Sequence, residues 1–313
     1  MKGKIPILLS FYALSNGQTT LTFGQVTYTS INDLSFVEYS RRKTFRTLVK
    51  LYRTRAFANH RIVLLFTNGR VEVQTNRNGG FYVKSSSAGL NGRLEKVLLK
   101  TGDEVRLVEG LYSLDIHYPE GDTLVVSDID DTLVHSFIHD KLMKFRTLMF
   151  TTMEKRKAVT GMQALLKRFT AQGAFPVYLS NSEQNLYPLI YRFLRYNHFP
   201  QGPLFLKQMR KLWDVAMNVK IPPKNTHKIM TLEELLTLFP TRQVILMGDN
   251  TQQDVPIYLS VARKFAANIR YIIIRKVVKR KSQEKMISTA KADLHKQGIG
   301  IYYADEFPVA LPL

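Results

Sequence analysis

The sequence predicts an α/β protein in which a small β-rich domain precedes a domain built on a parallel sheet. Before residue 118, short β-type runs such as residues 61–66 and 70–74 alternate with Asn-Gly turn signals. Residues 117–122 (HYPEGD) combine polar residues with chain breakers and mark a boundary. After them, short apolar runs alternate with amphipathic segments of period about 3.6, which is typical of parallel α/β architecture.

These patterns define two domains. Residues 1–118 are expected to form a small, Ig-like β-sandwich that also carries a basic amphipathic helix, and residues 119–313 the α/β domain. The predicted strands of the second domain are residues 123–127, 175–179, 243–247 and 270–274, and its predicted helices are residues 161–172, 185–197, 226–239 and 254–266. In sheets of this kind, functional sites form at the carboxyl ends of the strands.

The composition indicates an anionic partner. Lysine and arginine total 45 against 25 acidic residues, a formal charge of +20, so the surface presents a positive field to phospholipid, nucleic acid or a phosphorylated substrate. The absence of cysteine excludes a disulfide framework, a thiolate zinc site and a cysteine nucleophile. No apolar run reaches the roughly 18 residues that a membrane-spanning helix needs.

The basic amphipathic helix is predicted around residues 45–52, where Phe45, Leu48, Val49 and Tyr52 recur at helical spacing. Two compatible interpretations exist: a solvated positive face packed on the sandwich, or a helix lying on an anionic membrane, where each cation contributes on the order of 1 kcal/mol. The candidate membrane-facing residues are Arg41, Arg42, Lys43, Arg46, Lys50 and Arg53.

The strongest chemical signal is a D-x-D-x-T motif that directly follows an apolar strand. Asp128 comes first, with Asp130 and Thr132 at two-residue spacing. A carboxylate that attacks phosphorus needs a cation to screen the anionic phosphoryl group, and a neighbouring carboxyl group can protonate the leaving oxygen. The alternative is an acidic turn in which Asp128 caps the next segment.

Two weaker signals follow further along the chain. Ser180 and Asn181 follow the predicted strand at residues 175–179, where the hydroxyl group and nearby amides could hold phosphoryl oxygens; a plain turn or cap is the alternative. Lys228 stands near the start of a predicted helix, where it could neutralise charge on a transferring phosphoryl group; an ordinary surface lysine is the alternative.

The fourth signal is the glycine-led loop at residues 248–254 (GDNTQQD), which separates Asp249 and Asp254. Mg²⁺ prefers octahedral oxygen ligation and retains several waters. We therefore predict a magnesium site formed by Asp128, the backbone carbonyl of Asp130, Asp249 and, through water, Asp254. A helix capped by Asp254 is compatible with the same role.

In this order, the four signals resemble those of haloacid dehalogenase phosphatases. More narrowly, residues 120–305 resemble the lipin-like phosphatidate phosphatase catalytic domain of the yeast actin-patch-protein type and its bacterial relatives. The motifs that carry the resemblance are SDIDDTL at residues 127–133, YLSNS at 178–182, LY at 186–187, FPQGP at 199–203, HK at 227–228 and GD at 248–249.

The resemblance implies a role for each matched position. Asp128 would form an aspartyl-phosphate, Asp130 would act as acid and then base, Ser180 and Lys228 would bind phosphate, and Asp249 would hold Mg²⁺. The chain departs from the family pattern where Glu183-Gln184 replaces proline-tryptophan, Asn250-Thr251 replaces serine-glycine, and Val255-Pro256 follows Asp254. These departures put the substrate contacts in doubt rather than the catalytic carboxylates.

The expected function is hydrolysis of phosphatidate to diacylglycerol and phosphate at an anionic phospholipid surface. Two alternatives remain open: a phosphatase for another phosphomonoester such as a polynucleotide end, and an inactive membrane-adhesion protein. Nucleic acid is the disfavoured partner, because the aromatic residues near the basic tracts form no stacking platform.

The resemblance places residues 7–12 in the first β-structured region rather than in a removable leader, so we expect a cytoplasmic enzyme that associates peripherally with membranes. The oligomeric state stays open. Three other residues could contact substrate, but a structural role is the preferred interpretation for each: His135, His139 and Trp213.

Overall fold

The N-terminal part of the chain forms two sheets, in which every strand pairing is antiparallel except that of β1 with β9, which is parallel. One sheet has the order β3-β2-β1-β9, with β6 paired to β2, and the other has the order β5-β4-β7-β8. The strands are β1 (Pro6–Ser15), β2 (Thr19–Tyr28), β3 (Arg55–Ala56), β4 (Arg61–Asn68), β5 (Arg70–Gln74), β6 (Gly80–Ser86), β7 (Asn91–Leu99), β8 (Glu104–Val105) and β9 (Ile116–His117).

Apolar side chains from both sheets share one core. Phe11 of β1 packs against Phe66 of β4, with ring centroids 6.3 Å apart, and Leu64 and Leu94 are buried beside them. The hairpin of β1 and β2 is tightly built at Gly24, where a Cβ atom would lie 2.3 Å from the Ser10 carbonyl oxygen. Only glycine fits there without displacing the backbone.

The rest of the described chain forms a six-stranded sheet of order β12-β11-β10-β13-β14-β15, in which every pairing is parallel. The predicted α/β class with a parallel sheet is therefore confirmed. The four predicted strands occupy its centre, and the sequence interpretation omitted the two edge strands and the last helix. The strands are β10 (Thr123–Ser127), β11 (Phe175–Glu183), β12 (Leu204–Lys207), β13 (Gln243–Asp249), β14 (Ile269–Arg275) and β15 (Gly300–Ala304).

Helices cover both faces of this sheet, because successive side chains of a strand point to opposite faces. Val125 of β10 belongs to the core that includes α1 and α2, whereas Val126 belongs to the core that includes α3, α4 and α5. The helices are α1 (Thr160–Ala171), α2 (Tyr187–Tyr196), α3 (Thr226–Leu238), α4 (Asp254–Lys264) and α5 (Lys281–Lys296), and a 3₁₀ turn (Gln184–Leu186) precedes α2.

Strands β1 and β2 are buried on both faces. Phe11 points into the core between the N-terminal sheets, whereas Leu14 and Phe23 point into the core of α3, α4 and the parallel sheet. Phe23 stacks on Phe205 of β12 with centroids 4.4 Å apart, and Asn16 Nδ2 donates to the Leu238 carbonyl at 2.7 Å. The N-terminal sheets and the parallel sheet therefore share a buried apolar contact.

The computed structural model describes residues 5–29, 51, 54–135, 157–207 and 226–307. The predicted helix at residues 45–52, apart from Leu51, lies outside those ranges. Its candidate membrane-facing residues, from Arg41 to Arg53, and His139 and Trp213 lie outside them as well. Residues 7–12 lie within β1, as expected. Among the described helices, none has the length and apolar character needed to cross a bilayer.

Candidate active site

The site lies where the central strands of the parallel sheet end. β10 is flanked by β11 and β13, and both run parallel to it. Because the carboxyl ends of parallel strands meet at one edge, the residues that follow β10 and those at the ends of β11 and β13 are brought together. Asp128, Ser180 and Asp249 all lie at this edge and all are buried.

A tight turn presents Asp128. Its backbone N–H donates to the Met247 carbonyl at 2.8 Å, which continues the pairing of β10 with β13. The turn closes when the Leu133 N–H donates to the Ile129 carbonyl at 2.9 Å, and Asp131 takes a left-handed φ of 61° within it. The Thr132 hydroxyl then reaches back to Asp128 Oδ2 at 3.2 Å.

Lys228, in the first turn of α3, is fully buried and ion-paired. Its Nζ donates to Asp128 Oδ1 at 2.6 Å and to Asp254 Oδ1 at 2.5 Å. Burial disfavours the ammonium form, but the two carboxylates outweigh it and raise the lysine pKa above its ordinary value. The lysine therefore stays charged next to the nucleophile candidate.

Three carboxylates surround this lysine. Ligand atoms of Asp128, Asp249 and Asp254 all lie within 4.8 Å of one another. Burial, followed by the charge of Asp254, raises the pKa of Asp249 to about 7, and burial raises the pKa of Asp128 well above its usual value despite the lysine. One ammonium group does not neutralise three buried carboxylates, so the oxygen-rich cluster fits an added divalent cation.

Asp130 points away from that cluster. Its Oδ2 accepts hydrogen bonds from the Ser180 hydroxyl at 3.2 Å and the Ser182 hydroxyl at 2.9 Å. The Ser182 backbone N–H also donates to Ser180 Oγ at 2.9 Å. The sequence interpretation missed Ser182, and the only available signal was its alternation with Ser180 in the SNS stretch at residues 180–182.

Hydrogen bonds and close packing hold the loop after β13 in place. The Thr251 N–H donates to Asp249 Oδ1, and the Thr251 hydroxyl lies 3.4 Å from Asp131 Oδ2. Gly248 permits close packing, since a Cβ atom there would lie 2.7 Å from Asp254 Oδ2. These contacts link the loop that carries two carboxylates to the turn that carries Asp128.

Arg275, the last residue of β14, is a second member of the site that the sequence interpretation missed. Its Nη1 donates to the Asp131 carbonyl at 2.7 Å, and its Nη2 lies 3.5 Å from His135 Nδ1. Arg275 pairs in register with Asp249, which puts it at the same edge of the sheet. His135 therefore contacts the arginine that supports the Asp128 turn.

Residues 123–276 match the family described as "Phosphatidate phosphatase APP1, catalytic domain". This stretch of the chain belongs to the APP1 catalytic-domain family. The match spans β10 to the end of β14 and includes Asp128, Ser180, Lys228 and the loop of Asp249 and Asp254.

Similar proteins agree with this assignment. An uncharacterized protein of Schizosaccharomyces pombe is 24% identical over 237 residues, which are 74% of this chain and 38% of that protein. Phosphatidate phosphatase APP1 of Saccharomyces cerevisiae is 29% identical over 154 residues, 48% of this chain and 25% of that protein. The chain thus spans well under half the length of either relative.

One solved structure, of a Pnkp1/Rnl/Hen1 complex, matches 50% of this chain and 52% of its own with 19% identity and a TM-score of 0.34. A similarity this low bears on neither fold nor function.

Positions where the chain departs from the APP1-family pattern make specific contacts. Gln184 Nε2 donates to the Gly24 carbonyl at 3.1 Å, which ties the segment after Ser180 and Ser182 to β2. Asn250 Oδ1 accepts from the Val277 N–H at 2.7 Å and from the Val278 N–H at 3.1 Å. Asn181, predicted to bind phosphate, lies half-buried with its Nδ2 3.4 Å from Gln252 Oε1.

Proposed function

We propose that the protein is a magnesium-dependent phosphatase of the haloacid dehalogenase type that hydrolyses phosphatidate through an aspartyl-phosphate at Asp128. In this proposal residues 119–313 form the catalytic domain and residues 1–118 an accessory β-rich domain. The single observation that carries it is the contact of Lys228 with Asp128 inside a cluster of three buried carboxylates.

Asp128 is the proposed nucleophile. A carboxylate oxygen of Asp128 forms a bond to phosphorus while the bond between phosphorus and the glycerol oxygen breaks. Lys228 holds the carboxylate in place and offsets the charge that builds up on the phosphoryl oxygens. Asp130 gives its proton to the departing diacylglycerol oxygen, which leaves as a hydroxyl group.

Asp130 then acts in the opposite sense. As a carboxylate, it accepts a proton from the water molecule whose oxygen attacks phosphorus, and the bond between phosphorus and Asp128 breaks to release inorganic phosphate. The hydroxyl groups of Ser180 and Ser182 hold Asp130 by one oxygen. Its second oxygen is thereby directed for proton transfer.

Asp128, Asp249 and Asp254 would hold Mg²⁺, and the backbone carbonyl of Asp130 is its proposed fourth protein ligand. When bound, the ion supplies positive charge that screens the approach of a carboxylate to an anionic phosphoryl group. The thiol-free, oxygen-rich donor set suits a hard cation.

The lipid substrate and peripheral membrane association are supported by the APP1-family match and by the formal charge of +20. The departures at residues 183–184 and 250–251 lie in the second and fourth loops, where substrate preference would change first.

The test is phosphate release by the purified chain from vesicles that contain phosphatidate, with Mg²⁺ and with a chelator. We expect magnesium-dependent release that Asp128→Asn abolishes, since the amide cannot form the acyl phosphate. Asp293→Asn, on the exposed side of α5, is the matched control and should retain activity.

Parallel assays with a 3′-phosphorylated oligonucleotide and a soluble aryl phosphate define the substrate class. Faster turnover of the oligonucleotide than of phosphatidate would replace the lipid assignment by the polynucleotide one. No release from any of the three substrates would favour an inactive adhesion protein.

A further inference from the structure

A strip of exposed lysines lies at the active-site edge of the parallel sheet, and neither the motifs nor the family match assigns it a role. It consists of Lys279, Lys281 and Lys285, together with Met286, and is called the basic rim below. Lys279, Lys281 and Lys285 are exposed, and Met286 is 39% exposed. The rim spans the connection from β14 to α5 and the first turns of α5.

The basic rim is fixed to the catalytic loop. β14 ends at Arg275, level with Asp249, so the chain leaves the sheet at the edge where the carboxylates lie. The Arg280 guanidinium and the Gln283 side-chain amide both donate to the Gln252 carbonyl, at 3.3 Å and 3.0 Å. The lysines are therefore held beside the 249–254 loop.

Among the described residues, no ion pair neutralises a rim lysine. Glu284, the acidic residue of the first turn of α5, is paired with Lys276 at 3.2 Å. Lys281 sits at the start of the helix, where the dipole is positive and disfavours a cation. The helix itself thus gains nothing from these charges, whereas an external anionic surface would.

Helices α3 and α4, like α5, begin at the active-site edge of the parallel sheet. α3, α4 and α5 pack in one layer on the sheet, and the first turns of α3 and α4 place Lys228 and Asp254 in the site. Met230, in the first turns of α3, is 63% exposed. An exposed methionine beside a lysine, as Met286 is beside Lys285, is suited to an interface between water and lipid.

We propose that the basic rim docks on an anionic phospholipid bilayer and so directs the active-site edge toward the membrane. This rests on the proposed function and extends it, because a phosphate attached to a membrane lipid reaches buried Asp128 only if that edge faces the bilayer. Nucleic acid fits less well, since residues 275–296 contain no phenylalanine, tyrosine or tryptophan on which a base could stack.

The experiment compares two double variants of the full chain that each remove two positive charges, one pair in the basic rim and the other toward the far end of α5. Lys279→Gln with Lys281→Gln changes the rim. Lys291→Gln with Lys296→Gln changes exposed lysines toward the other end of α5. Binding to phosphatidylcholine vesicles with and without phosphatidylserine is measured by co-sedimentation in the presence of a chelator, so that it does not depend on catalysis.

We expect the rim variant to bind phosphatidylserine vesicles about tenfold or more weakly than the parent, with the difference shrinking as salt is added. The control variant should bind within about twofold of the parent. Turnover of phosphatidate in vesicles should fall more in the rim variant than turnover of a soluble aryl phosphate, which reports the catalytic site alone.

Three results would overturn the proposal. Equal weakening by both variants would show that net charge, not the rim, governs binding. Unchanged vesicle binding in the rim variant would show that the rim does not dock on the membrane. If the rim variant instead lost binding to an oligonucleotide, the rim would be assigned to nucleic acid. A chain that hydrolyses no phosphomonoester refutes the proposed function, but the vesicle comparison still decides the role of the rim.

Discussion

The Lys228 ammonium group lies between Asp128 and Asp254, 2.6 Å from one carboxylate and 2.5 Å from the other. Each of these groups would be costly to bury alone, because an unpaired charge in a low-dielectric interior loses its hydration. The pairing places the proposed nucleophile, a metal ligand and the compensating cation in fixed positions before substrate arrives.

Removing the lysine should destabilise the protein as well as inactivate it. Lys228→Met leaves two buried carboxylates without their partner, and we expect the free energy of unfolding in urea to fall by about 3–5 kcal/mol. Lys264→Met removes an exposed lysine that is paired with Glu233 at 2.7 Å, and should cost less than about 1 kcal/mol. Equal stability of Lys228→Met and the parent would mean that the carboxylates are not ionised around the lysine.

The stability of the metal-free protein should depend on pH through Asp249. Its pKa is raised from 3.8 to about 7, so the folded state binds a proton that the unfolded state has released. This contribution to stability is fully present below about pH 4 and is lost as pH rises through about 7. Asp249→Asn should flatten the pH dependence of the urea midpoint over that window; a variant that keeps the parent's full dependence would contradict the assignment.

Magnesium should stabilise the folded chain by binding to the carboxylate cluster. A ligand at a hundred times its dissociation constant adds about 2.7 kcal/mol to the free energy of unfolding, which a thermal melt with and without chelator would detect. Asp249→Asn should lose most of the shift, whereas Asp293→Asn should keep it. An undiminished shift in Asp249→Asn would place the ion elsewhere.

Arg275 should act as a positioning residue for the Asp128 turn. Its hydrogen bond to the Asp131 carbonyl supports a residue held at a left-handed φ of 61°. Arg275→Lys shortens the reach and removes the planar guanidinium, and we expect kcat to fall by about 10–100-fold with a smaller change in KM. Arg270→Lys, at an exposed position of the same strand, is the control. Equal kcat in both variants would exclude this role.

The stacking of Phe23 on Phe205 should couple the N-terminal sheets to the parallel sheet. Phe23→Ala should cost about 3–5 kcal/mol and lower the midpoint of a single unfolding transition seen by both far- and near-ultraviolet circular dichroism. Tyr118→Ala, at an exposed position, should change stability by less than about 1 kcal/mol. Two separate transitions in the parent chain would show that the two parts unfold independently.

Much of the site could be predicted because it depends on spacing. Asp128, Ser180 and Asp249 each follow or end a strongly apolar strand, and parallel strands bring such positions to one edge whatever the details of the helices. Lys228 could be placed because its helix begins at that same edge. The edge strands β12 and β15 and the helix α5 escaped prediction: β15 is short and mostly half-buried, so its pattern is weak.

Ser182 and Arg275 depend on geometry that no local pattern encodes. β11 continues past the predicted end at residue 179. Ser180 and Ser182 are therefore two residues apart in one strand, and both of their hydroxyl groups contact Asp130. Arg275 is the first residue of the basic run at residues 275–281 (RKVVKRK), and nothing in that run indicates the contact with Asp131, which depends on the pairing of β14 with β13. The roles of Ser182 and Arg275 are thus visible only in the folded structure.

The burial of β1 and β2 on both faces has a practical consequence for work on this protein. A recombinant fragment that starts at residue 119 would expose to water the surface that Leu14 and Phe23 now cover, and such a fragment would tend to aggregate. The hairpin also contacts the segment after Ser180 and Ser182, because Gln184 Nε2 donates to the Gly24 carbonyl. Sequence variation in this hairpin is thus a route by which evolution or a protein engineer could change the surroundings of the proposed active site without altering Asp128, Asp249 or Asp254.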